Sequence, residues 1–141
     1  MRRPVGPVLG LLLGGFLVVA TTALRSSDQP PILLQQARPN PILPASLIPF
    51  TIAPEVCKDD HVPRVTLKIY NGAAQEVATL TLRGRTEAPI DGAPMRCGDY
   101  VASWDGTVNG GRSVAVPAMY FVRLEVDRIP PSSKTIIVPS L

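Results

Sequence analysis

RVTLKIY, Arg64 to Tyr70, decides the fold. Val65, Leu67 and Ile69 fall on one side of an extended chain, and Thr66, Lys68 and Tyr70 on the other. A period of two is the mark of a half-buried β-strand. The alternation returns in MYFVRLEVD, Met119 to Asp127. There Tyr120, Val122, Leu124 and Val126 share one face, while Phe121, Arg123, Glu125 and Asp127 share the other. QEVATLTLR (Gln75 to Arg83) and GDYVASW (Gly98 to Trp104) read as further strands. LIPFTIAP (Leu47 to Pro54) reads as a first strand with Phe50 and Ile52 on one face, confined by Pro49 and Pro54 to an edge or to short pairing. KTIIVP, after a turn at Pro130-Pro131, reads as the last. CKDDHVP (Cys57 to Pro63) and the stretch from Gly84 to Pro94 read as loops. About six or seven strands with frequent turn signals and no convincing soluble helix predict an all-β protein, an antiparallel sandwich.

Composition agrees. Sixteen prolines and eleven glycines in 141 residues suit short strands joined by turns. The length leaves room for one domain and accessory segments. The net charge of +3 is mild, and Arg2 and Arg3 at the extreme N-terminus carry much of it. No basic stripe or aromatic-studded basic patch points to nucleic acid. LRGR, Leu82 to Arg85, is the densest basic spot outside the N-terminus and reads as a solvated strand end.

The opening residues are not fold. Arg2 and Arg3 precede the uncharged apolar run VLGLLLGGFLVVA, Val8 to Ala20, and ATTA then offers small residues for a cut after Ala23 or after Ala20. That is the layout of a secretory signal peptide over residues 1–23. The alternative is an uncleaved anchor over residues 4–23, barely long enough to span a bilayer. Either way the remainder leaves the cytoplasm for the periplasm, the cell surface or the medium. Residues 24–46, with repeated proline, read as an extended linker, and residues 47–141 as the domain. Cys57 and Cys97 are the only cysteines, an even number in an exported chain. A bridge between them would close a loop of about 41 residues and stabilise by at most ~4 kcal/mol. Two free buried thiols are the other reading; a metal site has no CxxC and only one His to draw on.

WDGTVNGG, Trp104 to Gly111, holds the only Trp. A strand would deliver Trp104 at its end, where one large ring can close the core. Asp105-Gly106 would turn the chain, and Asn109-Gly110-Gly111 tolerates positive φ.

Four segments together carry a resemblance: VTLKIYN, GDYVASWDG, GRSVAVPAMYFVRLE and KTIIV. In that order they resemble the C-terminal Ig-like domain shared by the flagellar hook-capping protein and the C-terminal sorting domain of type IX secretion cargo. RPNPILPASLIPFTI, Arg38 to Ile52, is similar to the segment that opens the sorting domain. The resemblance covers about Pro39 to Pro139. It implies an Ig-like sandwich of about seven strands, with Trp104, Asp105, Gly106, Gly111 and Tyr120 as structural motif residues. It also implies a role in surface sorting or assembly. The two cysteines are additions to that pattern, placed to staple the loop after the first strand to the loop before the W-D-G strand.

Chemistry finds little to use. His61 is the sole imidazole and sits beside Asp59 and Asp60 in a turn. No serine therefore has a His-acid arrangement, and WDGTVNGG lacks the Lys-Ser/Thr and following helix of a phosphate loop. Asp105 reads as capping its own turn rather than binding calcium. The expectation is a non-enzyme without cofactor or metal. Its partner would be a protein, met through an exposed edge strand or as part of a secretion machinery. Two alternatives stand beside it. One is a polysaccharide-binding module using Tyr70, Tyr100 or Phe121 as an aromatic platform. The other is a membrane-tethered accessory subunit with the N-terminal segment retained.

Overall fold

The computed structural model describes residues 29–140. The signal-peptide or anchor reading of residues 1–23 lies outside the described residues. Among the described residues twelve strands appear in the order β1 (Ile32–Leu34), β2 (Ser46–Ile52), β3 (Arg64–Tyr70), β4 (Glu76–Thr79), β5 (Thr81–Leu82), β6 (Arg85–Pro89), β7 (Ala93–Pro94), β8 (Gly98–Trp104), β9 (Thr107–Val108), β10 (Ser113–Val114), β11 (Ala118–Val126) and β12 (Ile129–Val138). One sheet runs β1-β2-β8-β5-β6. The facing sheet runs β12-β11-β3-β4, with β7 also paired to β3. β9 and β10 form a small hairpin. The pairing is antiparallel throughout these strands, as the alternating patterns predict.

Each long strand sends every second side chain inward. Ile48, Phe50 and Ile52 of β2, Val65, Leu67 and Ile69 of β3, and Tyr120, Val122, Leu124 and Val126 of β11 are all buried. They form one continuous core with Ala102 and Trp104 of β8. Removing such aliphatic and aromatic groups from water is the main stabilising term of a sandwich this small.

Five sequence expectations change. β2 is neither an edge nor briefly paired: it lies between β1 and β8 and pairs with β8 from Ser46 to Ile52 despite Pro49. QEVATLTLR is not one strand. It breaks at Leu80, where the chain leaves one sheet for the other. The Leu80 amide donates to the Leu67 carbonyl (3.0 Å), Ile90 to Leu80 (2.8 Å), and Leu67 to Ile90 (2.9 Å). These three buried residues lock the crossing. The predicted loop from Gly84 to Pro94 holds β6 and β7, which retrace β5 and then β3. Pro130 and Pro131 lie inside β12, not at a turn. The chain turns at Asp127, which takes a positive φ of 48°. Prolines fit there because, among the described residues, β12 pairs in its sheet only with β11 and ends it.

The largest change concerns residues 24–46. From residue 29 onward this stretch belongs to the fold, so the domain starts well before residue 47. β1 pairs with β2 in the register Ile32↔Ile52, Leu33↔Thr51 and Leu34↔Phe50. Ile32, Leu34, Ala37 and Ile42 are buried in the common core. Ser46 Oγ donates to the Pro39 carbonyl at 2.6 Å. The segment also covers the edge of β12. Gln36 Nε2 donates to the Thr135 carbonyl (2.7 Å), the Ile137 amide donates to Asn40 Oδ1 (2.8 Å), and the Ile42 amide donates to the Ile137 carbonyl (2.9 Å). Proline removes donors from a backbone, so side-chain amides here do part of the work of a neighbouring strand.

Candidate functional site

The W-D-G turn is a structural device. Trp104 packs edge-on against Tyr120, with ring centroids 5.6 Å apart. Its indole Nε1 donates to the Thr107 carbonyl at 2.8 Å. Asp105 Oδ1 accepts from the Thr107 amide (2.9 Å) and from Thr107 Oγ1 (2.6 Å), so the carboxylate closes its own turn. Gly106 has φ 82° and Gly111 φ 86°, the left-handed region where glycine is free of strain. A Cβ on Gly106 would meet Ile42 Cδ1 at 3.4 Å, which places the N-terminal segment directly over this turn. Tyr120 Oη donates to the Val116 carbonyl at 2.9 Å.

Cys57 and Cys97 are joined, with their Cα atoms 6.1 Å apart. Cys57 lies in an irregular 3-10 segment, Pro54–Asp60, after β2, and Cys97 lies just before β8. The bridge therefore staples the two loops named from the sequence. At the same end of the sandwich His61 Nε2 meets Asp127 Oδ2 at 2.6 Å, and the Arg64 amide donates to Asp127 Oδ1 at 2.8 Å. Burial alone would raise the Asp127 carboxyl. The Arg64 amide and His61 outweigh it and hold the group below its ordinary value. Among the described residues no group of three or more His, Cys, Asp and Glu is placed to hold a metal ion. Nor, among them, is any helix long and apolar enough to cross a membrane.

The three aromatic candidates separate. Tyr100 is structural: its ring stacks on buried Phe50 at 5.4 Å, and its hydroxyl donates to the Arg96 carbonyl at 2.6 Å. Tyr70 and Phe121 come together. They are directly paired across β3 and β11 on the outer face of the β12-β11-β3-β4 sheet. Opposed residues in an antiparallel pair have neighbouring side chains on one face, so the register makes them neighbours. Phe121 is 36% exposed, and two residues up β11 the cross-strand pair Met119 and Ile137 is 51% and 39% exposed. An apolar stripe thus runs along the solvent side of β11 and β12.

Beside the two aromatics opens a shallow cleft of about 210 Å³, walled by Asn71, Gly72 and Ala74 of the β3–β4 turn and by Arg123 and Ser133. Asn71 shapes this wall. Its Oδ1 accepts from the amides of Ala73 and Gln75, each at 2.9 Å, and its Nδ2 donates to Gln75 Oε1 at 2.9 Å. Ala74 takes φ 62° to complete the turn. The charges here are matched. Arg123 Nε pairs with Glu125 at 2.9 Å. Lys68, paired across from Arg123, reaches Glu76 at 2.9 Å and Asp91 at 3.5 Å. The hydrogen bond to Glu76 raises the Lys68 ammonium above its usual value against the opposing effect of burial, keeping it charged.

Compared with known proteins, the chain matches no family model, no curated sequence and no solved structure.

Proposed function

We propose that this chain is an exported, non-catalytic Ig-like module that works by contact, presenting the outer face of its β12-β11-β3-β4 sheet to something at the cell surface. One observation carries the reading. A sheet whose outer face need only meet water would place polar groups there, yet Met119, Ile137, Phe121 and Tyr70 line that face in two adjacent cross-strand pairs. The disulfide supports an oxidising compartment, and the charged-then-apolar N-terminus supports export. The edge of β12 is partly taken by residues 36–42, and the β4 carbonyl of Val77 accepts from Asn109 at 3.0 Å. Strand addition is therefore disfavoured at both edges of this sheet, and its open face is the better surface.

The test is retention of the labelled full chain on cell-envelope fragments. Phe121→Asp and Ile137→Asp place charge on the stripe without touching the core, and each should abolish retention. Unchanged retention in both variants would overturn the reading. A second reading, strand addition by a protein partner such as a sorting machinery, would use an edge of the other sheet, which ends in β1 on one side and β6 on the other. Among the described residues β6 pairs only with β5.

A further inference from the structure

The contact reading names a face and leaves its ligand open. The cleft beside Tyr70 and Phe121 narrows the choice, and any ligand assigned to it rests on that reading. We infer that this cleft is a glycan subsite, taking one ring of a neutral polysaccharide against the aromatic pair. Three properties of the cleft lead there.

The first is its chemistry. A pyranose ring carries an apolar C–H face and a rim of hydroxyls. It needs an aromatic surface beside groups that both donate and accept hydrogen bonds. Tyr70 and Phe121 supply the surface. Arg123 is engaged by Glu125 through Nε, and a guanidinium carries further N–H groups able to donate. Ser133 adds a hydroxyl on the wall next to Arg123, its direct neighbour across β11 and β12.

The second is charge. Arg123 and Lys68 are both matched by carboxylates, Glu125 on one side and Glu76 and Asp91 on the other. A nucleic acid or an acidic chain would need unmatched cations, and a basic segment unmatched acids. With both cations engaged and the three carboxylates engaged by them, no surplus positive charge is offered to a polyanion, and an uncharged polar ligand is the better complement.

The third is size. The volume of about 210 Å³ is below the range usual for pockets that enclose a small molecule. It suits one ring resting on a platform, with the rest of a chain passing over Met119 and Ile137. Affinity would then come from repeated shallow contacts along a polymer.

Gly72 makes the idea testable without disturbing the fold. It lines the cleft, and a Cβ added there meets no atom within 4 Å. Gly72→Leu should occupy the cleft and leave stability unchanged. Phe121→Ala removes the platform, and Phe121→Tyr should preserve it.

The experiment is affinity electrophoresis of the full chain in mild detergent, through gels containing hydroxyethylcellulose, glycol chitin, amylopectin, galactomannan or laminarin. Retardation is expected in at least one gel. Phe121→Ala and Gly72→Leu should weaken it at least about tenfold, the loss of one aromatic stacking contact with its buried area. Phe121→Tyr should retain it. Thermal melting should be unaltered in Phe121→Tyr and Gly72→Leu, and Phe121→Ala, which loses its cross-strand contact with Tyr70, should melt lower yet stay folded at the assay temperature. No retardation in any gel, or retardation that ignores Phe121→Ala and Gly72→Leu, overturns the glycan assignment.

Envelope fragments then separate the two levels. If periodate destroys Phe121-dependent retention and protease does not, the glycan subsite stands. If protease destroys it and periodate does not, the glycan assignment falls and the contact reading survives with a protein ligand. Retention independent of Phe121 and Ile137 overturns both.

Discussion

The N-terminal segment offers the sharpest test of the fold, through Leu34→Ala combined with Ile42→Ala. Leu34 is 1% exposed and Ile42 6% exposed, and both belong to the common core. Truncating a buried Leu or Ile to Ala costs about 2–5 kcal/mol, the removed transfer energy plus the cavity left behind. The two sites lie in different parts of the segment, one in β1 and one against the W-D-G turn, so their costs should nearly add. The double variant should therefore lose about 4–10 kcal/mol, most of the stability a small domain has. If residues 24–46 were only a linker, both side chains would sit in solvent and the loss would stay within about 0.5 kcal/mol. Urea denaturation of the full chain, followed through Trp104 fluorescence, separates these outcomes. With a slope near 2 kcal/mol per molar, a loss of 4 kcal/mol moves the midpoint by roughly 2 M. A shift too small to measure would show that this segment does not belong to the core, and the edge protection of β12 would fall with it.

Other perturbations probe single features. Opening Cys57–Cys97 by reduction, or as paired Ser variants, should lower stability by about 2–4 kcal/mol, since the loop it closes spans a sequence separation of 40. An unchanged melting temperature under reductant would contradict this. Gly106→Ala should cost about 1 kcal/mol or more from its left-handed φ, read by calorimetry, whereas Gly72→Ala should cost almost nothing. The Asp127 carboxyl is held below its ordinary value of 3.8, so its contribution to stability is present above that pH and is lost as the pH falls through the folded value. Asp127→Asn should flatten the acid limb of a stability profile taken from about pH 6 to about pH 2.5; a limb of unchanged slope would assign the acid sensitivity to other groups.

Much of the sandwich is legible locally. β3 runs over the residues that alternation picks out, because a period of two records which side chains face the core, and β8 covers the stretch read as a strand from Gly98 to Trp104. The W-D-G turn is equally open to reading: Asp105 bonds within its own turn, and the glycines there have positive φ. What alternation does not record is pairing between distant strands. Tyr70 and Phe121 could each be assigned a face, but their meeting depends on the β3–β11 register, set by the packing of the whole sheet. The N-terminal segment escaped for another reason. β1 has only three residues, and Ile42 stands between prolines, so neither shows a period. Their burial comes from partners far along the chain. The break at Leu80 is likewise invisible in QEVATLTLR, whose alternation continues smoothly while the backbone changes sheets.

The contact of residues 36–42 with β12 has a consequence for timing. Gln36, Asn40 and Ile42 bond to Thr135 and Ile137, so nearly a hundred residues separate the partners. If the chain leaves the cell N-terminus first, its opening strand emerges long before the strand it must cover. Closure would then wait for Thr135 and Ile137 to arrive, and contacts so distant in sequence form slowly. Through that interval residues 36–42 would lack their partners in β12. In an N-terminus-first export, the covering of β12 by residues 36–42 would therefore be among the last contacts to form.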